Sequence, residues 1–337
     1  MKIDYRRLLF FALLGSLAIL LLLRLAGVSE AWEILRGAKT GFILLALAAE
    51  SLRYLGVALL TQIIVSFLGQ RIELLPTLAV IFAGTSVNRL LYAGGIGEMY
   101  VRYRYLQKND LSLGSVSVLF FLQYIISALV LLGTFVLGVL YLLTHRGLTL
   151  QEVLASGVIV VAVLGGLGYL VRLYGERDKL EKILLSLYRK VSAFFGRFFR
   201  RSFFNEAGLI TAIRHLYQSI RVARNHPREV LGAFACAALT PFADILCLYL
   251  AFSALGFEIH PGTVLVGYSV GKYAGAISML PDGIVVTEGS LALVYSNLAV
   301  PQNIAAIAIL IFRLISYWLP IPLGFLALWI LRRRSLL

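Results

Sequence analysis

Leu90-Leu91-Tyr92-Ala93-Gly94-Gly95-Ile96-Gly97-Glu98 and Ser278-Met279-Leu280-Pro281-Asp282-Gly283-Ile284-Val285-Val286-Thr287-Glu288 are two versions of one device. Each is an apolar segment broken by Gly or Pro, with a carboxylate just past the break. Each follows a proline that opens an apolar run, Pro76 and Pro261. The surrounding chain is 60% hydrophobic and 14% charged, with a mean hydropathy of +0.88. Soluble domains carry about 25% charged residues, so this is an integral membrane protein. Broken, charged backbone at membrane depth survives only where it is buried in protein or lines a wet cavity. Interrupted segments at matching places in two halves are the sequence mark of a transporter's binding site.

Working outward from these breaks, a helix needs about 20 apolar residues to cross the hydrocarbon. Segments 8–28, 41–68, 114–143, 153–171, 230–255 and 304–331 reach that length. The first has no small-residue cleavage site after it, so a retained helix is expected and no signal peptide. The net charge is +14, from 31 basic and 17 acidic residues, and 22 of the basic ones fall in 1–7, 98–112, 172–228 and 332–334. The intervening loops 29–40, 144–152 and 256–260 hold only Arg36, Lys39 and Arg146. The positive-inside rule then places both termini in the cytoplasm, as for a multi-pass protein of the cytoplasmic membrane. The basic excess is read as topology and lipid contact, with no nucleic acid as partner.

That assignment forces the two broken segments to leave on the side they enter. The fold expected is an all-α polytopic membrane protein, about six full transmembrane helices plus two re-entrant hairpins in an inverted repeat. One transmembrane domain, 1–337, divides into a first half, 1–171 with hairpin 76–97, and a second half, 229–337 with hairpin 261–300. The alternative is that each hairpin makes two short full crossings. Between the halves, 172–228 has 13 basic and four acidic residues. Its apolar positions Leu180, Ile183, Leu184, Leu187, Val191, Phe194, Phe195 and Phe198 recur at helical spacing. An interfacial helix on the cytoplasmic leaflet and a solvated linker both fit.

A charge at bilayer depth costs several kcal/mol and must find a partner or water. The charges expected there are Glu50, Arg53, Arg89, Glu98, Asp244, Lys272, Asp282, Glu288 and Arg313. Four cations against five carboxylates suit an enclosed polar cavity that admits an ionic or zwitterionic headgroup. Glu50 and Arg53 are three apart, share a helix face and can pair. Every one of these charges could equally be a structural ion pair. The free helix N-termini of broken hairpins attract phosphate.

Catalytic patterns are absent. His145, His215, His226 and His260 lie in loops or the basic segment, and no HExxH, CxxC, GxSxG or Walker-type loop occurs. Cys236 and Cys247 read as small core residues. No metal and no cofactor are expected.

Leu280-Pro281-Asp282-Gly283-Ile284 with Glu288, followed by Phe312-Arg313-Leu314-Ile315-Ser316-Tyr317-Trp318-Leu319-Pro320 and Gly324, resembles the closing signature of the lysylphosphatidylglycerol synthase/flippase membrane-domain family. That signature reads Leu-Pro-Gly-Gly-Ile-Gly, a nearby Glu, then Arg-x-x-x-Tyr-Trp-x-Pro. Gly97-Glu98 with Arg102 resembles the family's Gly-Glu-x-x-Arg element, with three residues between Glu98 and Arg102 here. Asp282 and Val285 stand where the family often has Gly. The resemblance covers nearly the whole chain. It implies translocation of lipid rather than its synthesis, because the aminoacyl-transferase half is not part of these residues.

The functional expectation is a lipid transporter or flippase that is not an enzyme. It would move a phosphate-headed phospholipid or polyprenyl lipid, with anionic or zwitterionic membrane lipids as partners. Glu288, Arg313 and Asp244 would line one side of the cavity, with Lys272 and Asp282 at the second hairpin. Glu98, Arg89 and the Glu50–Arg53 pair would line the other. A membrane-embedded transferase acting on a lipid-linked substrate, and a scaffold for a partner enzyme, are the rivals. A homodimer and a lipid-modifying enzyme stay open as protein partners.

Overall fold

The computed structural model describes residues 19–91, 96–145, 227–278 and 280–337, with isolated positions at 16, 157, 161 and 165. All but the last two residues of the segment 172–228 expected at the interface, nearly all of the span 153–171 and most of the first residues of the span 8–28 lie outside the described residues. Every described element is helical, as expected for an all-α polytopic membrane protein. The labelled elements are α1 (Val28–Arg36), α2 (Thr40–Phe67), α3 (Leu74–Leu91), α4 (Ile96–Lys108), α5 (Leu113–His145), α6 (Pro227–Ala254), α7 (Pro261–Ile277), α8 (Val286–Asn297), α9 (Gln302–Arg313) and α10 (Pro320–Arg333). Among the described residues, α2, α5, α6 and the continuous run α9–α10 are long and apolar enough to cross a membrane.

The remaining helices are too short to cross alone. At 1.5 Å per residue, α3 and α7 reach roughly 26 Å and α4 and α8 roughly 19 Å, against about 30 Å of hydrocarbon. They form two hairpins, α3 against α4 and α7 against α8. The order span, hairpin, span therefore runs twice, and the two halves interlock. The central spans α2 and α6 pack along each other, α3 lies on α10, and α7 lies on α5. Each hairpin thus rests on the span that follows the other half's hairpin.

Small residues set these contacts. A Cβ on Gly56 would lie 2.7 Å from the Cys236 carbonyl and 2.8 Å from Leu239 Cβ, so α2 and α6 touch at their backbones. A Cβ on Gly324 would overlap the Ser86 hydroxyl and the Phe82 carbonyl, which brings α10 equally close to α3. Such close approach is what holds helices together in lipid, where burial of apolar side chains supplies no drive.

Two boundaries differ from the sequence expectation. The first hairpin continues past 97 to Lys108, because 98–112 is not a plain loop. Its α4 is amphipathic, burying Val101, Arg102, Tyr105 and Leu106 and exposing Met99, Tyr100, Arg104, Gln107 and Lys108. The loop expected at 29–40 contains α1, which packs on α9. Helices α7 and α8 fall within 261–300, and the α9–α10 run covers 304–331.

The apolar core falls into two main clusters along the axis. One gathers Ala46, Leu248, Phe252, Tyr295 and Ile309, and the other Leu60, Ile64, Ala233, Ala237 and Leu119. Glu50 and Arg53 lie between Ala46 and Leu60 on α2, and Asp244 lies between Ala237 and Leu248 on α6. The charges therefore form a layer between two apolar ones.

Candidate functional site

Packing α2 along α6 brings Glu50, Arg53 and Asp244 to one level. Arg53 Nη1 lies 3.4 Å from Glu50 Oε1 and 3.2 Å from Asp244 Oδ1. Tyr268 and Lys272, one turn apart on α7, both reach the other oxygen of that aspartate. The Tyr268 hydroxyl donates to Asp244 Oδ2 at 2.9 Å, and Lys272 Nζ lies 3.3 Å from it. Lys272 Nζ is also 3.7 Å from Asp282 Oδ1, at the tip of the second hairpin. Asp282 Oδ2 is 3.2 Å from Arg89 Nη2 and 4.0 Å from Arg313 Nη1. Arg313 Nε donates to Glu288 Oε1 at 2.5 Å. Eight of the nine charges singled out in the sequence thus form one chain: Glu50, Arg53, Asp244, Lys272, Asp282, then Arg89 and Arg313, then Glu288.

Local sequence explains why the last span can join this chain. Pro320 has no N–H, so the Ser316 carbonyl four residues earlier has no helical donor. The helix widens into a π turn at Leu314–Trp318, closed by Leu319 N–H to the Leu314 carbonyl at 2.8 Å. Arg89 supplies the missing donors. Its Nη2 reaches the Ser316 carbonyl at 2.7 Å and its Nη1 the Tyr317 carbonyl at 2.8 Å. The Tyr317 ring lies 4.9 Å from the Arg89 guanidinium and 4.8 Å from that of Arg313. One arginine of the first hairpin therefore fixes the bulge of the other half's final span and orients Asp282.

The tip of the second hairpin is a strained turn. Asp282 (φ 47°) and Val285 (φ 72°) both adopt positive φ, as does Gly283 between them (φ 65°). Asp tolerates that region, but a β-branched residue there is an outlier. The two positions where the family often has Gly are thus positions that Gly would fit without strain. Val285→Gly is expected to be more stable than Val285→Ala by about 1–2 kcal/mol, the reverse of the usual order, because only Gly escapes the clash at positive φ. Unfolding midpoints of the two purified variants in detergent check this, and Ala above Gly would contradict it.

The helix N-terminus after this turn is not a free anion site. Glu288 falls in the first turn of α8 and places its own carboxylate at the positive end of the dipole.

The structure regroups the two cavity sides expected from the sequence. Arg89 sits with Asp282 rather than with Glu98, and Arg313 contacts Glu288 and Asp282 rather than Asp244. Glu98 is outside the chain and pairs with Arg102, whose Nη1 is 3.3 Å away. Arg102 also donates to Thr61 and Gln123, at 2.9 and 2.5 Å. This separate buried cluster was missed, since 98–112 read as a basic loop. The Gly-Glu-x-x-Arg likeness was the signal that could have found it. Tyr268 and the Ser316 and Tyr317 carbonyls were also missed. Among the described residues no three or more His, Cys, Asp and Glu side chains are grouped to hold a metal ion.

The chain of charges balances four cations against four carboxylates, and it is unevenly covered. The side chains of Glu50, Asp244, Arg89, Arg313 and Glu288 are at most 6% exposed. Those of Arg53, Lys272 and Asp282 keep 17%, 18% and 24% of their surface open. Two cations and one carboxylate therefore face the accessible side, backed by buried partners. Such a face can exchange an internal carboxylate for an external anion.

Residues 8–324 match the family model of the lysylphosphatidylglycerol synthase TM region. A UPF0104 membrane protein of Methanocaldococcus jannaschii is 23% identical over 337 residues, covering 99% of this chain and 97% of its own length. One of Pyrococcus horikoshii is 24% identical over 334 residues, covering 96% and 97%. One of Methanothermobacter thermautotrophicus is 24% identical over 325 residues, covering 94% and 93%.

Proposed function

This chain belongs to the family of the lysylphosphatidylglycerol synthase TM region, and from that premise we propose that it is a transporter that moves a phosphate-headed lipid across the cytoplasmic membrane. It acts without chemical change to the lipid. The observation that carries the reading is the balanced chain of eight charges between two apolar layers, open only at Arg53, Lys272 and Asp282. A phosphate oxygen can take the place of Asp244 on Lys272 and of Glu50 on Arg53. Arg89 and Arg313 keep Asp282 in place meanwhile. The lipid tails stay in hydrocarbon while only the headgroup crosses through protein. Both termini lie in the cytoplasm, and the hairpins enter from opposite faces, in line with the distribution of Lys and Arg.

Reconstitution tests this reading. Fluorescent phosphatidylglycerol placed in the outer leaflet of liposomes should redistribute at least tenfold faster with the protein than without. Fluorescent diacylglycerol, which lacks the phosphate, should show no protein dependence. Equal rates for phosphatidylglycerol with and without folded protein would end the transport reading.

A further inference from the structure

Glu50 is the carboxylate whose charge is least well secured. It lies mid-span on α2 and is 3% exposed. Among the described residues its Oε1 reaches only Arg53 Nη1, and that same nitrogen is nearer to Asp244 Oδ1, at 3.2 Å against 3.4 Å. Two carboxylates thus draw on one guanidinium nitrogen. Asp244 has two further donors, Tyr268 and Lys272. Among the described residues Glu50 has no other, and its Oε2 is buried without a hydrogen-bond partner. Among the described residues, Tyr54 on α2, Cys247 on α6, Tyr268 and Lys272 on α7 and Arg89 on α3 also interact with it electrostatically. An ionised carboxylate so placed is far more costly to bury than a neutral one.

Resting on the headgroup reading above, we propose that Glu50 is the proton-carrying residue of the site, and that one proton crosses with each anionic phosphate headgroup. The charge balance gives the coupling. With Glu50 neutral, the cations Arg53, Arg89, Lys272 and Arg313 face three carboxylates, Asp244, Asp282 and Glu288. The site then holds a net single positive charge, which one phosphodiester neutralises. With Glu50 ionised, the site is already neutral and a phosphodiester would leave it negative. Proton and headgroup therefore bind together and leave together, and each strengthens the other's binding by the same factor. The proton is taken from water on one side and returned to water on the other. The joint passage of one proton and one singly charged anion moves no net charge. The pH gradient drives it and the membrane voltage does not.

The test uses the full chain in liposomes with fluorescent phosphatidylglycerol. At equilibrium the leaflet ratio of the label should follow an imposed pH gradient, by about tenfold per pH unit for one proton per headgroup. An imposed potassium diffusion potential should leave that ratio unchanged. In Glu50→Gln the ratio should stay near one at every gradient. Gln has the shape of a protonated carboxyl, and Arg53 keeps Asp244, so this variant is expected to fold. A second measurement needs no lipid. The infrared difference spectrum between neutral and alkaline pH should show a protonated-carboxyl C=O band in the wild type that is missing in Glu50→Gln. The same band in both proteins, or in neither, overturns the assignment. Transfer that ignores the pH gradient overturns the coupling and leaves the transport reading standing. No transfer by folded wild type overturns both.

Discussion

Arg313→Ala is expected to destabilise the folded protein by about 3–5 kcal/mol, the usual loss when one partner of a buried ion pair is removed. The guanidinium is 3% exposed and its Nε donates to Glu288 Oε1. Its Nη2 also donates to the Asp282 carbonyl at 3.3 Å, which ties α9 to the strained tip of the second hairpin. Removing it leaves Glu288 ionised and buried, with its Oε2 already lacking a partner among the described residues. Glu288→Ala alone should also destabilise, because it leaves the buried Arg313 guanidinium with the longer contacts to the Asp282 carboxylate and carbonyl. The paired change Arg313→Leu/Glu288→Leu should recover most of the loss, since apolar residues of similar volume often replace a buried pair at little cost. The two effects are thus strongly non-additive. Thermal unfolding midpoints of the three variants in detergent give the answer. Single variants as stable as wild type would show that the pair is not what secures α9 to the hairpin.

The identity of the charged residues was legible because charge is scarce in apolar segments and each instance has to be accounted for. Glu50, Arg53, Asp244 and Arg313 stood out on that ground alone. Their pairing was not legible, since a helical sequence gives angular position but not which helix lies opposite. Arg89 illustrates the gap. Its strongest partners are the backbone carbonyls of Ser316, freed by Pro320, and of Tyr317, 227 and 228 residues away. The break in the second hairpin was announced by Pro281 and Gly283. The left-handed turn at Asp282 and Val285 was hidden because neither residue is Gly. The length of the first hairpin was misjudged because Arg102, Arg104 and Lys108 read as topological charge. One of the three is buried, and the buried one carries a polar cluster of its own. The two broken segments and the charge count led to a span, hairpin, span order in each half, and the helices follow that order. The reciprocal packing of α3 on α10 and α7 on α5, which interlocks the halves, needed the structure.

Lys272→Gln should slow lipid transfer at least tenfold while leaving the fold intact, and this variant separates a headgroup site from a structural clamp better than any other in the chain. Neither carboxylate that Lys272 touches is stranded by its loss. Asp244 keeps Arg53 and the Tyr268 hydroxyl, and Asp282 keeps Arg89 and Arg313. A clamp with such redundancy tolerates the change. A headgroup site does not, because it loses one of its two accessible cations, and a hydrogen bond to a charged group contributes about 1.5–3 kcal/mol. If the phosphate makes that contact only while crossing, the same energy corresponds to roughly a 10- to 150-fold slower transfer. The decisive measurement is the transfer rate of fluorescent phosphatidylglycerol in liposomes, wild type against Lys272→Gln, at matched amounts of folded protein. A rate at least tenfold lower in the variant, with an unchanged unfolding midpoint, is the predicted result. Wild-type transfer by folded Lys272→Gln would contradict the account.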